Sequence, residues 1–428
     1  MPKRQVVSHT IDSPTVTVPG SKYLANRYIA LAAIATGTTR LSNLPQNDDI
    51  EAALEAISQL GAVVTDIEPG VVEIQGITHY SLSDTAHINC RDSGTLSRFI
   101  TAVASNLSSE VVVDASEQMR QRPMREVSQS LRDLGVSVDS NRLPITLKGP
   151  IKGGEVELDT SRSSQYLSGL LIACLKAETE TVLMLKGKTV SSSYIQLTKN
   201  AIEKFGGVVE EVSSTQLKVP ANQQLKAADI NIASDVVSSS YFMAAGLLAE
   251  TSVTLNAFDF DSPQGESKFY QVLEKMGAAV ERHDSQLFLS YQRPLSGITV
   301  DMGDMPDVVP TLVVLAMFAQ GETHITNIAH LAFKESNRIV DLCDELNKLG
   351  ANIDYDEDSI RVKGGQTLSL AELSSCHDHR LAMSFALIGI KLPGITITDA
   401  QAVEKSFPRY WEFLQQIGVE TQVVATAS

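Results

Sequence analysis

The pattern of apolar and polar positions along the chain repeats six times. In each copy a helical segment ends with an apolar residue and a glycine, and a run that is often rich in Val follows at once. Because glycine readily takes the left-handed conformation that closes a helix, each glycine is predicted to end a helix and to precede a strand. The six glycines are spaced by 74, 71, 71, 73 and 68 residues, and they are Gly61, Gly135, Gly206, Gly277, Gly350 and Gly418. This self-similarity indicates six copies of one structural unit.

A second helical segment occurs earlier in each copy. It is apolar on nearly every face, as in LSGLLIACL, which predicts burial, whereas the segments that end in glycine are amphipathic, as in EAALEAISQLGA. The buried helices are predicted to begin near Lys22, Thr95, Ser164, Val236, Val308 and Arg380. β-rich runs such as TVLMLKG lie between the helices, so each copy reads βαβαββ. Six copies exceed what one core usually supports, which indicates two domains of three copies each.

Composition narrows the class of protein. The 428 residues are 43% apolar and 20% charged, as in a soluble globular protein, and no apolar run is long enough to span a membrane. A net charge of −16 disfavours binding to nucleic acid or to an anionic membrane surface. The four cysteines are far apart without CxxC spacing, so neither a zinc site nor a disulfide framework is predicted. We expect a cytoplasmic monomer in which any anion site is local.

Polar clusters precede the six buried helices. They read PGSKYLANR, RDSGTLSR, SRSSQ, ASDVVSS, DMPD and HDHR. A helix N-terminus presents unpaired N–H groups and a partial positive charge, so it favours anions. Ser and Asp at these positions are also ordinary helix caps. Capping does not require Lys22, Arg98 and Arg380, whose charges are unfavourable at a helix N-terminus. These cations therefore predict small anionic substrates.

Nine motifs, in this order, resemble the EPSP synthase family. They are PGSKxxxNR, SGTxxR, QRPM, SSQYL, VSSSYI, DMPDVVPTL, HLAFKESNR, HDHRLAM and KSFPRYW. The likeness covers nearly the whole chain and implies an α/β, two-domain enolpyruvyl transferase fold, with six βαβαββ repeats, three per domain, in an inverse barrel of buried helices. It implies one domain of residues 21–234, carrying most of the acceptor site, and one of residues 1–20 with 235–428, carrying much of the phosphoenolpyruvate site. The active site would lie in the cleft between domains that close over the substrates.

The resemblance also implies a reaction and its site. Family members transfer the enolpyruvyl group of phosphoenolpyruvate to the 5-hydroxyl of shikimate 3-phosphate by addition and elimination, releasing phosphate, in the shikimate pathway of aromatic amino acid biosynthesis. They use no metal or organic cofactor. The residues implied to bind phosphoenolpyruvate are Lys22, Gly94, Arg122, Gln165, Arg338, Arg380 and Lys405. The residues implied to bind shikimate 3-phosphate are Lys22, Tyr23, Arg27, Ser163, Ser164, Gln165, Ser191, Tyr194, Asp307, His330 and Lys334.

The reaction needs proton transfer at two places, and two carboxylates are the candidates. Asp307 would act at the acceptor hydroxyl and Glu335 at the methylene carbon of phosphoenolpyruvate, with Lys22 near both as a proton donor or electrostatic stabiliser. The alternative interpretation is local capping or pairing, with Glu335 bound to Lys334 or Arg338. A metal site built from His330, His377 and His379 is disfavoured, because two of them have i, i+2 spacing at a helix start and no matching carboxylate cluster is evident.

Several positions depart from the family pattern and leave two other functions open. Tyr23 replaces a common Ser, Asp92 replaces a common Asn, and Asn337 replaces the Asp of the usual KESDR. One alternative is an enolpyruvyl transferase with another acceptor, including the UDP-N-acetylglucosamine enolpyruvyl transferases. Those typically carry a Cys in the loop that reads ASEQMRQRPMR here, which has none. The other alternative is a non-catalytic relative. The retained Lys22, Asp307, Glu335 and Lys405 argue against it, because a protein that only binds does not need both proton-transfer candidates.

Overall fold

The computed structural model describes residues 3–161, 163–187 and 192–424. It divides into two compact units. Gly20–Ala233 forms the continuous unit, and Met1–Pro19 with Ser234–Ser428 forms the discontinuous unit. Ser191, which the family resemblance assigns to the acceptor site, lies outside the described residues.

The strands of the described residues are numbered in chain order. The first twelve are β1 Lys3–His9, β2 Thr15–Thr17, β3 Thr38–Ser42, β4 Val63–Glu68, β5 Val71–Gln75, β6 Ala86–Asn89, β7 Glu110–Asp114, β8 Ser137–Val138, β9 Ile145–Lys148, β10 Gly154–Asp159, β11 Thr181–Lys186 and β12 Glu210–Ser213. The others are β13 Gln216–Val219, β14 Asp229–Asn231, β15 Ser252–Asn256, β16 Ala279–His283, β17 Gln286–Ser290, β18 Thr299–Asp301, β19 Glu322–Thr326, β20 Asn352–Tyr355, β21 Ile360–Lys363, β22 Glu372–Ser374, β23 Thr396–Thr398 and β24 Val419–Val424.

The helices of the same residues are α1 Lys22–Ile34, α2 Asp48–Gln59, α3 Gly94–Ala104, α4 Glu117–Arg120, α5 Arg125–Asp133, α6 Gln165–Cys174, α7 Ser192–Lys204, α8 Val236–Leu248, α9 Phe269–Met276, α10 Val309–Met317, α11 Arg338–Asn347, α12 His379–Lys391 and α13 Tyr410–Gln416. Short 3-10 turns lie at Gly265–Lys268, Pro306–Val308, Ala329–Phe333 and Ala400–Lys405. None of the helices in the described part of the chain is long and apolar enough to cross a membrane.

Each four-stranded sheet of the described residues has the same plan, a parallel pair of strands joined to an antiparallel pair. The continuous unit has the sheets β14-β3-β5-β4, β6-β7-β9-β8 and β10-β11-β13-β12. The discontinuous unit has the sheets β2-β15-β17-β16, β18-β19-β21-β20 and β22-β23-β1-β24. In the last of these, β1 pairs antiparallel with both β23 and β24, so the first strand of the chain completes the last repeat.

The six predicted buried helices are observed as α1, α3, α6, α8, α10 and α12. Each begins within one residue of its predicted start. Helix α3 packs against α1 and α6 in the continuous unit, and α8, α10 and α12 pack against one another in the discontinuous unit. All residues of α8 and α10 are buried, which explains why their sequences lack a polar face.

The six glycines that close the amphipathic helices all have positive φ angles, between 76° at Gly206 and 114° at Gly277. A residue with a Cβ atom is strained there, so the glycines are needed for the turn from helix to strand. The predicted fold class, an α/β protein with six βαβαββ repeats, three in each unit, is confirmed.

Candidate active site

In the discontinuous unit three buried side chains, each at the start of a helix, form an ionic network. Asp307 lies in the 3-10 turn before α10, Arg338 is the first residue of α11, and Asp378 is the N-cap of α12. Arg338 donates from Nε and Nη2 to the two carboxylate oxygens of Asp378, at 2.7 and 3.1 Å, and from Nη1 to Asp307 Oδ1 at 2.9 Å. Burial opposes the charge of Arg338, but Asp378 and Asp307 raise its pKa above the usual value.

Two further cations lie near Asp307. Lys334 Nζ lies 3.4 Å from Asp307 Oδ1, and Arg380 Nη2 lies 4.0 Å from Asp307 Oδ2. Arg380 is 1% exposed and also donates from Nη1 to the hydroxyl of Tyr241, at 2.9 Å. Burial raises the pKa of Tyr241 to about 12, although Arg380 opposes the rise, so the phenol stays neutral and accepts this bond.

Glu335 forms a second centre in the same unit. One of its oxygens binds Lys405 Nζ, and the other lies 2.8 Å from His379 Nδ1. Burial alone would raise the pKa of the Glu335 carboxyl, but the charges of His379, Lys405 and Arg338 hold it well below its usual range. Glu335 is therefore an ionised carboxylate in this structure. Among the described residues its close ionic contacts are with Lys405 and His379, and Arg338, one partner of the alternative interpretation, contributes through its charge.

The same region contains metal-ligand types. Ligand atoms of Glu335, Asp378 and His379 lie within 4.8 Å of one another, so the expectation that no carboxylates accompany the histidines is wrong for His379. Both carboxylates are, however, bound by cations, Asp378 by Arg338 and Glu335 by Lys405. These cations would repel a metal ion, and the cluster is better suited to an anion. His330, another predicted site residue, is buried in the 3-10 turn Ala329–Phe333.

In the continuous unit, Arg27 is fully enclosed by α1 and α7. It donates from Nε to Thr198 Oγ1 at 2.8 Å, from Nη1 to the carbonyl of Tyr23 at 2.8 Å, and from Nη2 to the carbonyl of Tyr194 at 3.1 Å. Among the described residues no carboxylate pairs with it. Burial lowers its pKa to about 10, which still leaves the guanidinium charged at neutral pH. A buried cation without a protein anion favours an anionic ligand.

Lys22 lies at the first position of α1, after the N-cap Ser21, and is 9% exposed. Its ammonium lies 3.2 Å from Asp49 Oδ2 and 5.6 Å from the ring centre of Tyr23. Tyr23 in turn packs edge-on against Tyr194, with ring centres 5.2 Å apart. Tyr23, which replaces the Ser common in the family, therefore lies between Lys22 and Tyr194, two residues of the predicted site.

Gly94 opens α3 and lies beneath two arginines. A Cβ atom added to Gly94 would be 2.5 Å from Arg122 Nη1 and 2.9 Å from Arg98 Nη1. Arg98 donates to the carbonyls of Gly94 and Pro123, at 2.8 and 3.0 Å, and so joins the helix start to the loop that carries Arg122. Two guanidinium groups at a helix N-terminus make a local positive site in an acidic protein.

The start of α6 lies beside that of α3. The side-chain Nε2 of Gln165 donates to Thr95 Oγ1 at 3.0 Å. The backbone N–H of Gln165 donates to Ser163 Oγ at 3.2 Å. Ser164 is the N-cap residue but its side chain makes no capping hydrogen bond, unlike the side chains of Ser21 and Ser93. Capping, the structural alternative, thus accounts for the serines before α1 and α3 but not for Ser164.

The predicted site residues lie in both units. In the discontinuous unit, Lys334, Arg338 and Arg380 lie around Asp307, and Lys405 pairs with Glu335. In the continuous unit, one cluster contains Lys22, Tyr23, Arg27 and Tyr194, and another contains Gly94, Arg122 and Gln165. Sequence reasoning missed the contacts made by Asp49 and Tyr241. In the sequence Asp49 is one of several acids at a helix start, and Tyr241 is one residue of an apolar helix. Neither position therefore indicated a role in the site.

Asp92, another departure from the family pattern, has a structural role. Its carboxylate accepts a hydrogen bond from Ser116 Oγ. Ser116 Oγ in turn accepts from the Met119 amide and caps α4, the short helix that precedes Arg122. Asp92 therefore ties the start of α3 to the segment that carries one of the predicted ligand-binding arginines.

Six βαβαββ repeats, with basic side chains gathered at the N-termini of buried helices in both units, define an α/β protein suited to small, multiply charged anions. The chain belongs to the EPSP synthase (3-phosphoshikimate 1-carboxyvinyltransferase) family, whose sequence model matches residues 11–414. The resemblance drawn from the nine motifs is thereby confirmed.

Relatives and solved structures agree with this assignment. The chain is 35% identical over 410 residues to the 3-phosphoshikimate 1-carboxyvinyltransferase of Klebsiella pneumoniae, covering 94% of this chain and 96% of that protein. It is 34% identical over 414 residues to the protein of the same name from Pseudoalteromonas atlantica, covering 95% and 96%. The solved EPSP synthase of Acinetobacter baumannii is similar with a TM-score of 0.84 and 26% identity, covering 99% of this chain and 100% of that chain.

Proposed function

We propose that this protein transfers the enolpyruvyl group of phosphoenolpyruvate to the 5-hydroxyl of shikimate 3-phosphate and releases phosphate. Its family and its relatives support this reaction. One structural observation supports it most directly: two largely enclosed carboxylates, Asp307 and Glu335, whose side chains are 9% and 8% exposed, each contact cations. Such an arrangement provides proton-transfer groups inside a binding site for anions, which is what addition and elimination on a phosphorylated enol require.

Phosphoenolpyruvate carries a carboxylate and a phosphate on three carbons, so its binding needs several cations. Arginine suits both groups because its planar guanidinium donates two parallel hydrogen bonds. The residues assigned to phosphoenolpyruvate are Lys22, Gly94, Arg122, Gln165, Arg338, Arg380 and Lys405.

Shikimate 3-phosphate offers a carboxylate, a phosphate and hydroxyls. Arg27, buried and without a carboxylate partner among the described residues, is assigned to the carboxylate. Tyr23 holds Arg27 through its backbone carbonyl, so this contact survives whichever side chain occupies position 23. The other residues assigned to this substrate are Lys22, Ser163, Ser164, Gln165, Ser191, Tyr194, Asp307, His330 and Lys334.

The proton transfers follow from the two centres. In the addition step Asp307 takes the proton of the acceptor hydroxyl, whose oxygen bonds to the central carbon of phosphoenolpyruvate while the methylene carbon gains a proton. In the elimination step the bond from that carbon to the phosphate oxygen breaks, phosphate leaves, and Glu335 removes a proton from the new methyl group. Since Glu335 is ionised at rest, it must first receive the proton that it delivers in the addition step. Its hydrogen-bonded neighbours Lys405 and His379 are placed to supply it.

Phosphate release in the presence of both substrates tests the proposal. We expect release that requires shikimate 3-phosphate and that falls at least a hundredfold in Asp307→Ala and Glu335→Ala, because general acid–base catalysis contributes about that factor or more. Asp354→Ala, at an exposed position in the same unit, is the matched control and should keep the wild-type rate. Binding of phosphoenolpyruvate without release would instead indicate another acceptor, and binding of neither substrate a non-catalytic relative.

The protein is further proposed to act in the cytoplasm as a monomer. The four cysteines are free, and three of them, Cys90, Cys174 and Cys343, are buried. Free thiols are typical of a reducing compartment. Size-exclusion chromatography with light scattering should give the mass of one chain, 46.2 kDa. Twice that mass would contradict the monomer.

A further inference from the structure

A buried carboxylate, Asp49, contacts Lys22 but has no role in the reaction described so far. Asp49 is the second residue of α2 and is 5% exposed. Its Oδ2 atom lies 3.2 Å from Lys22 Nζ, and its Oδ1 atom is buried without a hydrogen-bond partner among the described residues. A buried carboxylate is costly unless a cation or several donors offset its lost hydration. Lys22 is the cation that does so here.

The ordinary structural role of an acid at a helix start does not explain Asp49. Asn47 caps α2, since its side chain accepts from the Ile50 amide at 3.0 Å. The neighbouring acids Asp48 and Glu51 bind Arg91 at the surface. Asp49 is the acid of this turn that points away from that network to the start of α1. Its interaction with the helix dipole is favourable, but an exposed acid at the same turn provides the same effect without burial.

We infer that Asp49 is a positioning residue for Lys22. The N-terminus of α1 repels the ammonium of Lys22, and the carboxylate of Asp49 offsets that repulsion, holding the ammonium in place and charged until the substrate anions bind. Besides Asp49 on α2, the titratable groups near Lys22 among the described residues include the phenol of Tyr23 on α1 and, packed on that ring, the phenol of Tyr194 on α7. The inference rests on the proposed function, because it assumes that Lys22 works on the two substrates.

The pH dependence of kcat/KM for phosphoenolpyruvate tests the inference. Asp49→Asn keeps the size of the side chain and removes its charge, so the charged form of Lys22 is less favoured. We expect the basic limb of the profile to move to lower pH by about one unit or more, the usual effect of an opposite charge at this distance. Asp48→Asn is the matched control, since it makes the same change one residue earlier, at a side chain that binds Arg91. Its profile should match the wild type.

The outcomes separate this inference from the proposed function. Wild-type protein that releases no phosphate refutes the proposed function. Wild-type turnover, with an Asp49→Asn profile identical to that of Asp48→Asn, overturns the inference about Asp49. If Asp49→Asn does not fold, Asp49→Glu provides the second test, because it keeps the charge but displaces it. We then expect a wild-type basic limb with a lower kcat, and a wild-type kcat overturns the inference.

Discussion

The guanidinium of Arg338 binds the carboxylate of Asp378 through two nitrogen atoms, at 2.7 and 3.1 Å, and both side chains are almost completely buried. Asp378 also caps α12, where its carboxylate accepts from the Arg380 amide at 2.9 Å. One carboxylate therefore holds the guanidinium of Arg338 and the backbone of Arg380, two arginines that are assigned to the same substrate. The pair has a structural consequence as well, because removing either partner leaves a buried charge uncompensated.

The first prediction concerns the stability that this pair confers. Asp378→Ala removes a buried partner of Arg338 and the cap of α12, so the free energy of unfolding should fall by about 3–5 kcal/mol, as for other broken buried ion pairs. Urea unfolding followed by circular dichroism measures the change. Asp354→Ala, the same substitution at an exposed position, should change the free energy of unfolding by less than about 0.5 kcal/mol. Equal effects of the two variants would contradict the prediction.

The second prediction concerns the pH dependence of stability at Glu335. Its pKa in the folded protein lies well below the usual value of 4.5, which the unfolded chain restores. A depressed pKa stabilises the folded state at pH values above the unfolded pKa, and this contribution is lost as the pH falls through the folded pKa. The Glu335→Gln variant has no ionisable group at this position and so lacks this contribution. The wild type should therefore be more stable than Glu335→Gln at neutral pH, and the difference should shrink as the pH falls below about 4.

Urea midpoints of the two proteins at neutral and acid pH measure this difference. Glu357→Gln, at an exposed position in the same unit, controls for the loss of one charge and should follow the wild type at every pH. A difference between wild type and Glu335→Gln that is constant over the whole range would show that the ionisation of Glu335 does not contribute.

The fold could be predicted from the sequence largely because its signals are local. The glycine that closes a helix and the apolar run that forms a buried helix are both visible within about a dozen residues, so the six starts were predicted to within one residue. The completion of the last sheet by β1 depends instead on pairing between the two ends of the chain. The family resemblance implied only that residues 1–20 belong with residues 235–428, and the strand pairing itself is not visible in any local pattern.

The site was predictable in its residue types but not in its pairings. Basic residues at helix starts indicated an anion site, but the partner of Arg380 is Tyr241, which is 139 residues away in the chain. Glu335 was expected to pair, if at all, with neighbours in its own segment, whereas its partner Lys405 is 70 residues further on. Pairings between residues so far apart in the chain are set by tertiary packing, which no local spacing encodes.

The third prediction concerns Gly94. A Cβ atom there would be 2.5 Å from Arg122 Nη1, and the end of an arginine side chain can move away. The cost should therefore appear in substrate binding and not in stability. For Gly94→Ala we expect KM for phosphoenolpyruvate to rise about tenfold or more, a loss of about 1.4 kcal/mol or more, with a smaller change for shikimate 3-phosphate. An unchanged KM for phosphoenolpyruvate would indicate that Arg122 does not bind that substrate.

The last prediction compares three glycines inside buried helices. A Cβ atom added to Gly389 in α12 would be 2.3 Å from Val6 Cβ, one added to Gly169 in α6 would be 2.9 Å from the carbonyl oxygen of Arg98, and one added to Gly246 in α8 would be 3.0 Å from Val253 Cγ1. Replacing a helical glycine by alanine gains about 1 kcal/mol of helix propensity at each position. Because this gain is the same in all three variants, differences in their free energies of unfolding measure the cost of the steric clash at each added Cβ atom.

Gly389→Ala should be the most destabilising of the three, because Val6 Cβ is fixed to the backbone of β1 and cannot rotate away. Overpacking typically costs about 1–3 kcal/mol, and a contact this short should reach or exceed the upper end of that range. Gly169→Ala should cost less, and Gly246→Ala should be close to neutral, since the Val253 side chain needs to shift by only a few tenths of an ångström. Urea unfolding of the three variants gives the order, and a reversed order would show that helix propensity outweighs close packing between these helices and their neighbours.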